Sequence, residues 1–313
     1  MWWKNLISKK IRPLVTNSVG FSYSTQEVLR DVTISLKEGE LVAIIGKSGS
    51  GKSTFLKIIA GIIAGKSKGS IKIFGKSKLF QKDKIGFVPQ EVSLIPDLSI
   101  EDNIRILGLN LGISEKKALE KAEMLLKQLK LEEALTKKPE ELSGGQKVRL
   151  NIVVSLLNDP KLLILDEPFV GLDFANRRLL WHFLESMRSK GKSIVLTSHL
   201  LSETQEHVDR IIILKNGKVF FNGLLEKLKT KLKTHFIFET RISRISKENF
   251  LKLKKFCVYK DMRILDEYEK YLMFGLNSEK QRKILEIFMT KLNIKYQVIG
   301  FREPNLDEVF LKA

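Results

Sequence analysis

The sequence has a single cysteine and no long apolar run. Cys257 is the one cysteine among 313 residues, which excludes an internal disulfide and suits a reducing compartment such as the cytosol. The longest apolar runs, such as residues 162–165 and 211–214, are far shorter than the roughly 20 residues that span a bilayer. The start, Met1–Asn5, lacks the apolar stretch of a secretory signal. We therefore expect a globular protein outside the lipid, with Cys257 as a small core residue.

Acidic residues are too few to balance the basic ones. Lysine and arginine total 55 against 36 aspartates and glutamates, which gives a formal net charge of +19. The excess is spread along the chain, with local clusters at residues 66–84 and 227–233. Such patches attract anionic lipid headgroups or nucleic acid through their long-range field. A lysine-rich composition that serves solubility explains the same charge, so both interpretations stay open.

A glycine-rich segment follows the first predicted buried strand. Residues 46–54 fit the pattern G-x-x-x-x-G-K-[ST], between an apolar stretch at 40–45 and a stretch at 55–60 that is apolar at helical spacing. A strand, a tight turn and a helix start let successive backbone N–H groups converge on a phosphate. We expect Lys52 to reach the β- and γ-phosphates and the Ser53 hydroxyl to bind Mg²⁺. The pattern predicts that a nucleoside triphosphate is bound by Gly46, Lys47, Ser48, Gly49, Ser50, Gly51, Lys52, Ser53 and Thr54.

A second apolar run ends in two carboxylates. Residues 162–165 form an uninterrupted apolar stretch, typical of a parallel sheet covered on both faces, and Asp166 and Glu167 follow it. The carboxyl ends of such strands are where these sheets place ligand-binding groups. We expect Asp166 to hold Mg²⁺ through its water shell and Glu167 to polarise a water for attack on the γ-phosphate. Two adjacent acids after a strand can also be the solvated start of a loop without a catalytic role. The phosphate loop upstream favours the catalytic interpretation.

The segment Leu142–Gln146, with the sequence LSGGQ, resembles the signature motif of ATP-binding cassette (ABC) ATPases. Its ligand-facing residues would be Ser143, Gly144, Gly145 and Gln146. By the same resemblance, Tyr23 stacks on the adenine ring and Gln90 senses Mg²⁺ and the attacking water. Asp173 lies in the loop that crosses between paired subunits, and His199 contacts the γ-phosphate.

The resemblance covers about residues 14–223. It implies an α/β P-loop NTPase fold, with a RecA-like core and a helical subdomain, that binds ATP and Mg²⁺. The residues that it places at the catalytic step are Lys52, Gln90, Glu167 and His199. Those that it places around the metal are Ser53, Gln90 and Asp166.

One stretch departs from the family pattern. Phe169-Val170 stands where the family more often has a small polar residue. We expect Phe169 to pack under the end of the preceding strand and leave the chemistry untouched. The alternative is that it shifts the loop carrying Asp173, in which case the contact of Asp173 with a partner subunit would change.

The signature segment also bears on assembly. Ser143–Gly145 carries no bulky side chain, and a helix is predicted from Gln146 onward, so the segment makes an anion site at a helix N-terminus. In the family this site faces the γ-phosphate bound by the opposite cassette. One chain holds one phosphate loop and one signature segment. We therefore expect two cassettes packed head to tail around two ATP molecules, as a homodimer or a heterodimer.

The pattern divides the chain into three parts. Residues 1–13 are either a basic amphipathic helix at a bilayer interface or a frayed or partner-packed terminus. Residues 14–223 are the expected cassette, in which the mostly helical stretch 99–157 matches the family's helical subdomain and includes a predicted helix at residues 117–131. Residues 224–313 are an expected α+β accessory domain, with its two central strands predicted at residues 261–268 and 271–276. The β-α-β-β-α-β order is typical of a small ferredoxin-like sandwich.

The segment 302–311 resembles the C-terminal tail on cassettes of ABC-2 type drug and polymer export systems. It favours export over import and a regulatory or dimer-supporting role for the accessory domain. A stabilising appendage without a regulatory role is the alternative.

Two functions share this chemistry. The first is a peripheral ATPase subunit on the cytoplasmic face of the cell membrane, which drives a separate transmembrane permease. The second is a soluble ABC ATPase that acts on the ribosome or nucleic acid. Soluble ABC ATPases of that kind usually carry two cassettes or a long coiled coil in one chain. This sequence shows one cassette and no sustained heptad repeats. We therefore favour transport, expect no direct nucleic acid partner, and assign substrate choice to the permease.

Overall fold

The computed structural model describes residues 11–63, 65–77, 81–90, 94–199, 201–224, 227, 234–268 and 270–304. The chain divides into two compact units, Met1–Asn222 and Gly223–Ala313. Most of the predicted N-terminal helix, most of the export-type tail and most of the basic cluster at 227–233 lie outside the described residues.

The first unit contains an antiparallel sheet. Its strands are Leu14–Tyr23 (β1), Gln26–Leu36 (β2), Lys66–Ile73 (β4) and Lys76–Ser77 (β5). The strand order is β2-β1-β4-β5. Leu14 pairs with Leu36 on one side and with Ile73 on the other. All three side chains are almost fully buried, so this sheet contributes one face to the core.

A six-stranded sheet forms the centre of the same unit. Its strands are Leu41–Ile45 (β3), Ile85–Val88 (β6), Leu162–Leu165 (β7), Ser193–Ser198 (β8), Arg210–Lys215 (β9) and Lys218–Gly223 (β10). The order is β10-β9-β3-β8-β7-β6, and β9, β3, β8, β7 and β6 run parallel. Every residue of β3, β7 and β8 is buried, which explains the continuous apolar sequences of β3 and β7 and the apolar centre of β8, residues 194–196. Asn216 and Gly217, both with positive φ, make the tight turn between β9 and β10.

The helices of the first unit are Lys52–Ile59 (α1), Ile100–Asn110 (α2), Glu115–Gln128 (α3), Gly144–Ser155 (α4), Phe174–Ser189 (α5) and Leu201–His207 (α6). The predicted helical stretch 99–157 thus contains α2, α3 and α4. The prediction placed the end of α3 near residue 131, which is wrong. Lys130 has a φ of 53°, and the Leu131 N–H turns back to the Leu126 carbonyl at 2.9 Å, which ends the helix at Gln128.

The core of the first unit joins the two sheets through α1. Phe55, Leu56, Ile58 and Ile59 of α1 are buried in one cluster with side chains of β1, β2, β3, β7 and β8. Burial of each large apolar side chain stabilises the fold by about 1.5–3 kcal/mol. The N-terminus of α1, which carries the phosphate loop, is therefore held rigidly against the end of β3.

The second unit consists of Phe236–Arg244 (β11), Lys247–Tyr259 (α7), Arg263–Tyr268 (β12), Tyr271–Leu276 (β13), Glu279–Lys291 (α8) and Lys295–Arg302 (β14). The order β12-β13-β11-β14 is antiparallel throughout, so β13 separates β11 from β12. This is the split arrangement of a ferredoxin-like sandwich. The predicted element order is present. The strand expected from residue 261 begins at Arg263, because Asp261 has a φ of 52° and ends the preceding helix.

The core of the second unit contains the single cysteine. Cys257 is 1% exposed, as expected, among Phe238, Leu253 and Met289. Burial raises the pKa of its thiol to about 12. Phe256 of α7 and Phe288 of α8 stack with their ring centroids 3.7 Å apart, which ties the two helices together. No helix in the described part of either unit is long and apolar enough to cross a membrane.

Candidate nucleotide site

Four parallel strands end at the same edge of the central sheet. Ile45, the last residue of β3, lies beside Ser198 at the end of β8, and Val88 of β6 lies beside Leu165 of β7. The segments that follow these strands therefore meet at one edge. They carry the phosphate loop, Gln90, the pair Asp166-Glu167 and His199.

The phosphate loop needs glycine at two positions for different reasons. Gly51, which caps α1, has a φ of 100°, a conformation that residues with a side chain rarely adopt. A side chain at Gly46 would collide with the Leu214 carbonyl. The loop wraps around Lys52, whose Nζ donates to the carbonyl oxygen of Gly46 at 2.8 Å and to that of Lys47 at 3.4 Å. The arrangement presents a buried ammonium and a helix N-terminus to an anion.

Two hydroxyl groups, those of Ser53 and Thr197, form a hydrogen-bonded cluster with the Asp166 carboxylate. Ser53 Oγ donates to Asp166 Oδ1 at 2.9 Å, and Thr197 Oγ1 donates to the same oxygen at 2.8 Å. The Glu167 N–H in turn donates to Thr197 Oγ1 at 2.8 Å. Asp166 is 2% exposed. The predicted partners Ser53 and Asp166 are thus brought together, and Thr197 is an additional member that the sequence analysis missed.

Glu167 lies between a buried cation and an exposed imidazole. Its Oε2 is 2.7 Å from His199 Nδ1, and its Oε1 is 3.9 Å from Lys52 Nζ. The Glu167 side chain is 11% exposed, whereas that of His199 is 59% exposed. A carboxylate in this position faces the phosphate loop and is close enough to a second polar group to be held in one orientation.

The cleft over the phosphate loop has a volume of about 600 Å³. Gln26 and Val28 of β2 line it although no motif marks them in the sequence. Tyr23 lies outside this lining, 47% exposed at the end of β1, with its ring edge-to-face against Phe21. Ser50 is buried within the loop itself. The full lining is Gln26, Val28, Gly46, Lys47, Ser48, Gly49, Gly51, Lys52, Ser53, Thr54, Gln90, Glu167 and His199.

The signature residues form a second group, away from this cleft. Ser143 is exposed and caps α4: its Oγ accepts from the Gln146 N–H at 3.3 Å, and its own N–H donates to Gln146 Oε1 at 2.8 Å. This capping box starts the helix at Gly144, two residues before the predicted start. A side chain at Gly145 would lie 3.2 Å from Leu172 Cδ2, so the signature segment touches the loop before Asp173.

Asp173 belongs to the second group and caps α5. Its carboxylate accepts from the Asn176 N–H at 2.8 Å and from Asn176 Nδ2 at 2.7 Å, and these hydrogen bonds lower the pKa of Asp173. One copy of the chain therefore places Asp173 and the signature segment together, but does not place them over its own phosphate loop.

Phe169 is buried, as expected for a side chain that packs inward, and it packs against α5. The side chain is 3% exposed, and its ring stacks on that of Trp181 at a centroid distance of 4.2 Å. Trp181 stacks in turn on His207 at 4.5 Å and donates to Glu203 Oε1 at 2.8 Å. Arg177 bridges Glu203 and the Leu172 carbonyl. The unusual phenylalanine thus anchors this loop to α5 and α6.

The oxygen donors fit Mg²⁺ together with nucleotide phosphates. The described residues contain no cluster of three or more histidine, cysteine or acidic side chains that could hold a metal alone. Ser53 and Asp166 offer a hydroxyl and a carboxylate side by side. Mg²⁺ in nucleotide sites is typically bound by one or two such side chains and by phosphate oxygens. The fold and the site together define an α/β nucleotide-binding cassette of the P-loop type.

Comparison with known proteins agrees with this class. The family described as ABC transporter matches residues 29–170. The linearmycin resistance ATP-binding protein LnrL of Bacillus subtilis is 29% identical over 95% of this chain and 97% of its own length. The lantibiotic transport ATP-binding protein SrtF of Streptococcus pyogenes is 36% identical over 70% of this chain and 96% of its own length. The Nod factor export ATP-binding protein I of Burkholderia orbicola is 33% identical over 68% of this chain and 71% of its own length.

Solved structures give the same result. One described as an ATP-binding subunit of an ABC transporter aligns with a TM-score of 0.64 and 32% identity, over 70% of this chain and 93% of that one. A dimeric structure of a bacterial ABC transporter cassette aligns with a TM-score of 0.63 and 30% identity, over 68% of this chain and 98% of that one. The chain belongs to the ABC transporter family, as an ATP-hydrolysing subunit. The predicted family and fold are confirmed, and membership implies ATP binding and a membrane-spanning partner.

Proposed function

We propose that this chain is the ATPase subunit of an exporter and hydrolyses ATP between two cassettes on the cytoplasmic face of the membrane. The observation that carries the proposal is the position of Glu167, with its carboxylate 2.7 Å from His199 Nδ1 and 3.9 Å from Lys52 Nζ at the mouth of the phosphate loop. Three relatives whose names refer to linearmycin resistance, Nod factor export and lantibiotic transport support the direction of transport.

Different residues have different roles in ATP binding and hydrolysis. The loop N–H groups and Lys52 hold the β- and γ-phosphates. Glu167 accepts the proton of the attacking water, the new bond forms at the γ-phosphorus, and the bond to the β,γ-bridging oxygen breaks, which releases ADP and phosphate. Gln90 orients this water, and His199 contacts the γ-phosphate. Tyr23 stacks on the adenine ring.

Ser53 and Asp166 are the side chains that would hold a metal ion beside the phosphates. Mg²⁺, bound by Ser53 and through water by Asp166, would neutralise charge on the phosphate oxygens. The two side chains already share a hydrogen bond of 2.9 Å, so they are preorganised next to the loop. Gln90, exposed after β6, completes the set of side chains assigned to the metal and its water shell.

A second cassette supplies the missing face of the site. The signature residues and Asp173 lie together but not over the phosphate loop of their own chain. Because Ser143 is exposed at the N-terminus of α4, it can receive the γ-phosphate held by another copy or by a homologous partner. The dimeric cassette among the structural neighbours supports this assembly.

The permease would dock on the helical subdomain. α2 and the residue after it expose Ile106, Leu109 and Leu111, of which Leu109 is 58% exposed. A cluster of exposed apolar side chains is typical of a protein–protein contact. ATP binding would close the cassette dimer and hydrolysis would open it, so the helical subdomain would move the permease. The accessory domain would support the dimer or regulate it.

The identity of the co-purifying partner tests this proposal. The tagged chain is extracted from its native cells in mild detergent, with the Lys52→Ala variant prepared in parallel to ask whether the association depends on nucleotide. We expect a stoichiometric polytopic membrane protein. Ribosomes or nucleic acid that survive moderate salt, with the chain absent from membranes, would contradict transport. The names of the relatives do not favour that second function.

A further inference from the structure

A buried threonine connects the two carboxylates of the site. Thr197 is 0% exposed on β8, where Leu196 pairs with Leu165 of β7. This register places the Thr197 hydroxyl beside the first residues after β7. Its Oγ1 donates to Asp166 Oδ1 at 2.8 Å and accepts the Glu167 N–H at 2.8 Å. Since a carboxylate can only accept, the hydroxyl proton points to Asp166 and the oxygen lone pair points to the N–H.

The backbone of Glu167 needs such a partner. Its φ is 52°, in the left-handed region that residues with a side chain rarely adopt. Strained residues of this kind persist only where their surroundings hold them. The hydrogen bond from the Glu167 N–H to Thr197 Oγ1 stabilises this conformation. From there the carboxylate reaches both His199 and Lys52.

We infer that Thr197 is a positioning residue for ATP hydrolysis. Its hydroxyl holds Glu167 in the left-handed conformation that directs the carboxylate into the cleft, and it holds Asp166 with Oδ1 toward Ser53. Thr197 is fully buried and absent from the lining of the cleft, so it acts through the two acids. The inference rests on the proposed role of Glu167 and adds to it a residue that fixes the geometry of that role.

The chain offers a matched control for the removal of a buried hydroxyl. Thr16 is also 0% exposed, and its Oγ1 likewise accepts a backbone N–H, that of Ile34, at 3.0 Å. It donates to the Val32 carbonyl at 3.0 Å. These contacts lie within the antiparallel sheet, and Thr16 is absent from the lining of the cleft. Thr16→Val therefore reports what the loss of a buried bridging hydroxyl does to stability alone.

Three variants test the inference: Thr197→Val, which keeps the shape and removes the hydroxyl, Thr197→Ser, which keeps the hydroxyl, and Thr16→Val. For Thr197→Val we expect the kcat for ATP hydrolysis to fall by about 10- to 100-fold, as is typical when a catalytic group is misplaced. ATP affinity measured in EDTA should stay at the wild-type value. Thr197→Ser should recover most of the kcat, and Thr16→Val should keep it.

A second readout is independent of turnover. Amide hydrogen exchange of the segment 165–168, followed by mass spectrometry without nucleotide or metal, should be faster in Thr197→Val and unchanged in Thr16→Val. If Thr197→Val does not fold, Thr197→Cys replaces it, since a thiol is a much weaker partner for both groups.

Wild-type kcat and wild-type exchange in Thr197→Val would overturn the inference. An equal loss of kcat in Thr16→Val would also overturn it, because the effect would then be general destabilisation. A Thr197→Ser protein as slow as Thr197→Val would show that the hydroxyl is not what matters. Full turnover by Glu167→Gln would instead defeat the proposed role of Glu167, and the exchange experiment would still show whether Thr197 holds that backbone.

Discussion

Glu167 Oε2 and His199 Nδ1 lie 2.7 Å apart and join the ends of β7 and β8 at the mouth of the phosphate loop. The acid is largely buried and the imidazole is largely exposed. The pair therefore has one member inside the cleft, where water can be polarised, and one at its rim, where a bound phosphate can be sensed. The catalytic predictions depend on this geometry.

Glu167→Gln should bind ATP and fail to hydrolyse it. The amide keeps the shape of the side chain but cannot accept a proton, and removal of a general base typically lowers turnover by about 10²- to 10⁴-fold. Phosphate release and equilibrium ATP binding measure the two properties separately. Glu206→Gln, at an exposed position on α6, is the control that should hydrolyse at the wild-type rate. Full hydrolysis by Glu167→Gln would remove this residue from the catalytic role.

Phe169→Ala should destabilise the cassette by about 3–5 kcal/mol, the usual cost of deleting a buried aromatic side chain. The ring is 3% exposed and stacks on Trp181 at 4.2 Å, so its removal leaves a cavity under the loop. Thermal unfolding without nucleotide measures the change. Phe174→Ala, five positions on and 65% exposed, should leave the stability nearly unchanged. Equal stability of Phe169→Ala and the wild type would show that the stack does not support this loop.

The stability contributed by Glu40 should depend on pH. Burial acts to raise the pKa of Glu40, but hydrogen bonds from Arg210 and from the Lys37 N–H outweigh it and hold that pKa below its ordinary 4.5. Arg210 Nε lies 2.7 Å from Glu40 Oε1. Because the folded-state pKa is depressed, the stabilisation is complete above the unfolded-state value and is lost as pH falls through the folded-state value.

Thermal unfolding of the wild type and of Glu40→Gln, measured from pH 7 to acid conditions, checks the predicted pH dependence of the stability that Glu40 contributes. The difference in melting temperature should be constant near neutral pH and should shrink below the ordinary glutamate pKa of 4.5. A difference that stays the same through the acid range would contradict the assignment.

Local signals were sufficient to predict much of the fold. The buried strands β3 and β7 are uninterrupted apolar runs, and the glycines and lysine of the phosphate loop lie between a strand and a helix. The β-α-β-β-α-β order of the second unit was predicted, and the structure shows Ser246 and Ser278 capping its two helices. Helix ends were predicted less well, because the left-handed conformations of Lys130 and Asp261 carry no glycine signal.

Contacts between distant segments could not be predicted. The pairing of β7 with β8 places Thr197 beside Asp166, and nothing near Thr197 in the sequence indicates that register. The stack of Phe169, Trp181 and His207 likewise brings together three segments that only the tertiary fold makes neighbours. Sequence motifs thus predicted most of the residues that line the cleft, and the structure identified those that hold them in place.

The oligomeric state of Glu167→Gln with and without ATP, measured by gel filtration with light scattering, tests the two-cassette site most directly. We predict a monomer without nucleotide and a dimer with ATP. Ser143→Glu in the same background places a negative charge where the partner's γ-phosphate would lie, so that protein should bind ATP and stay monomeric. Lys52→Ala in this background should stay monomeric because it binds ATP weakly. A Glu167→Gln protein that binds ATP and remains a monomer would contradict the account.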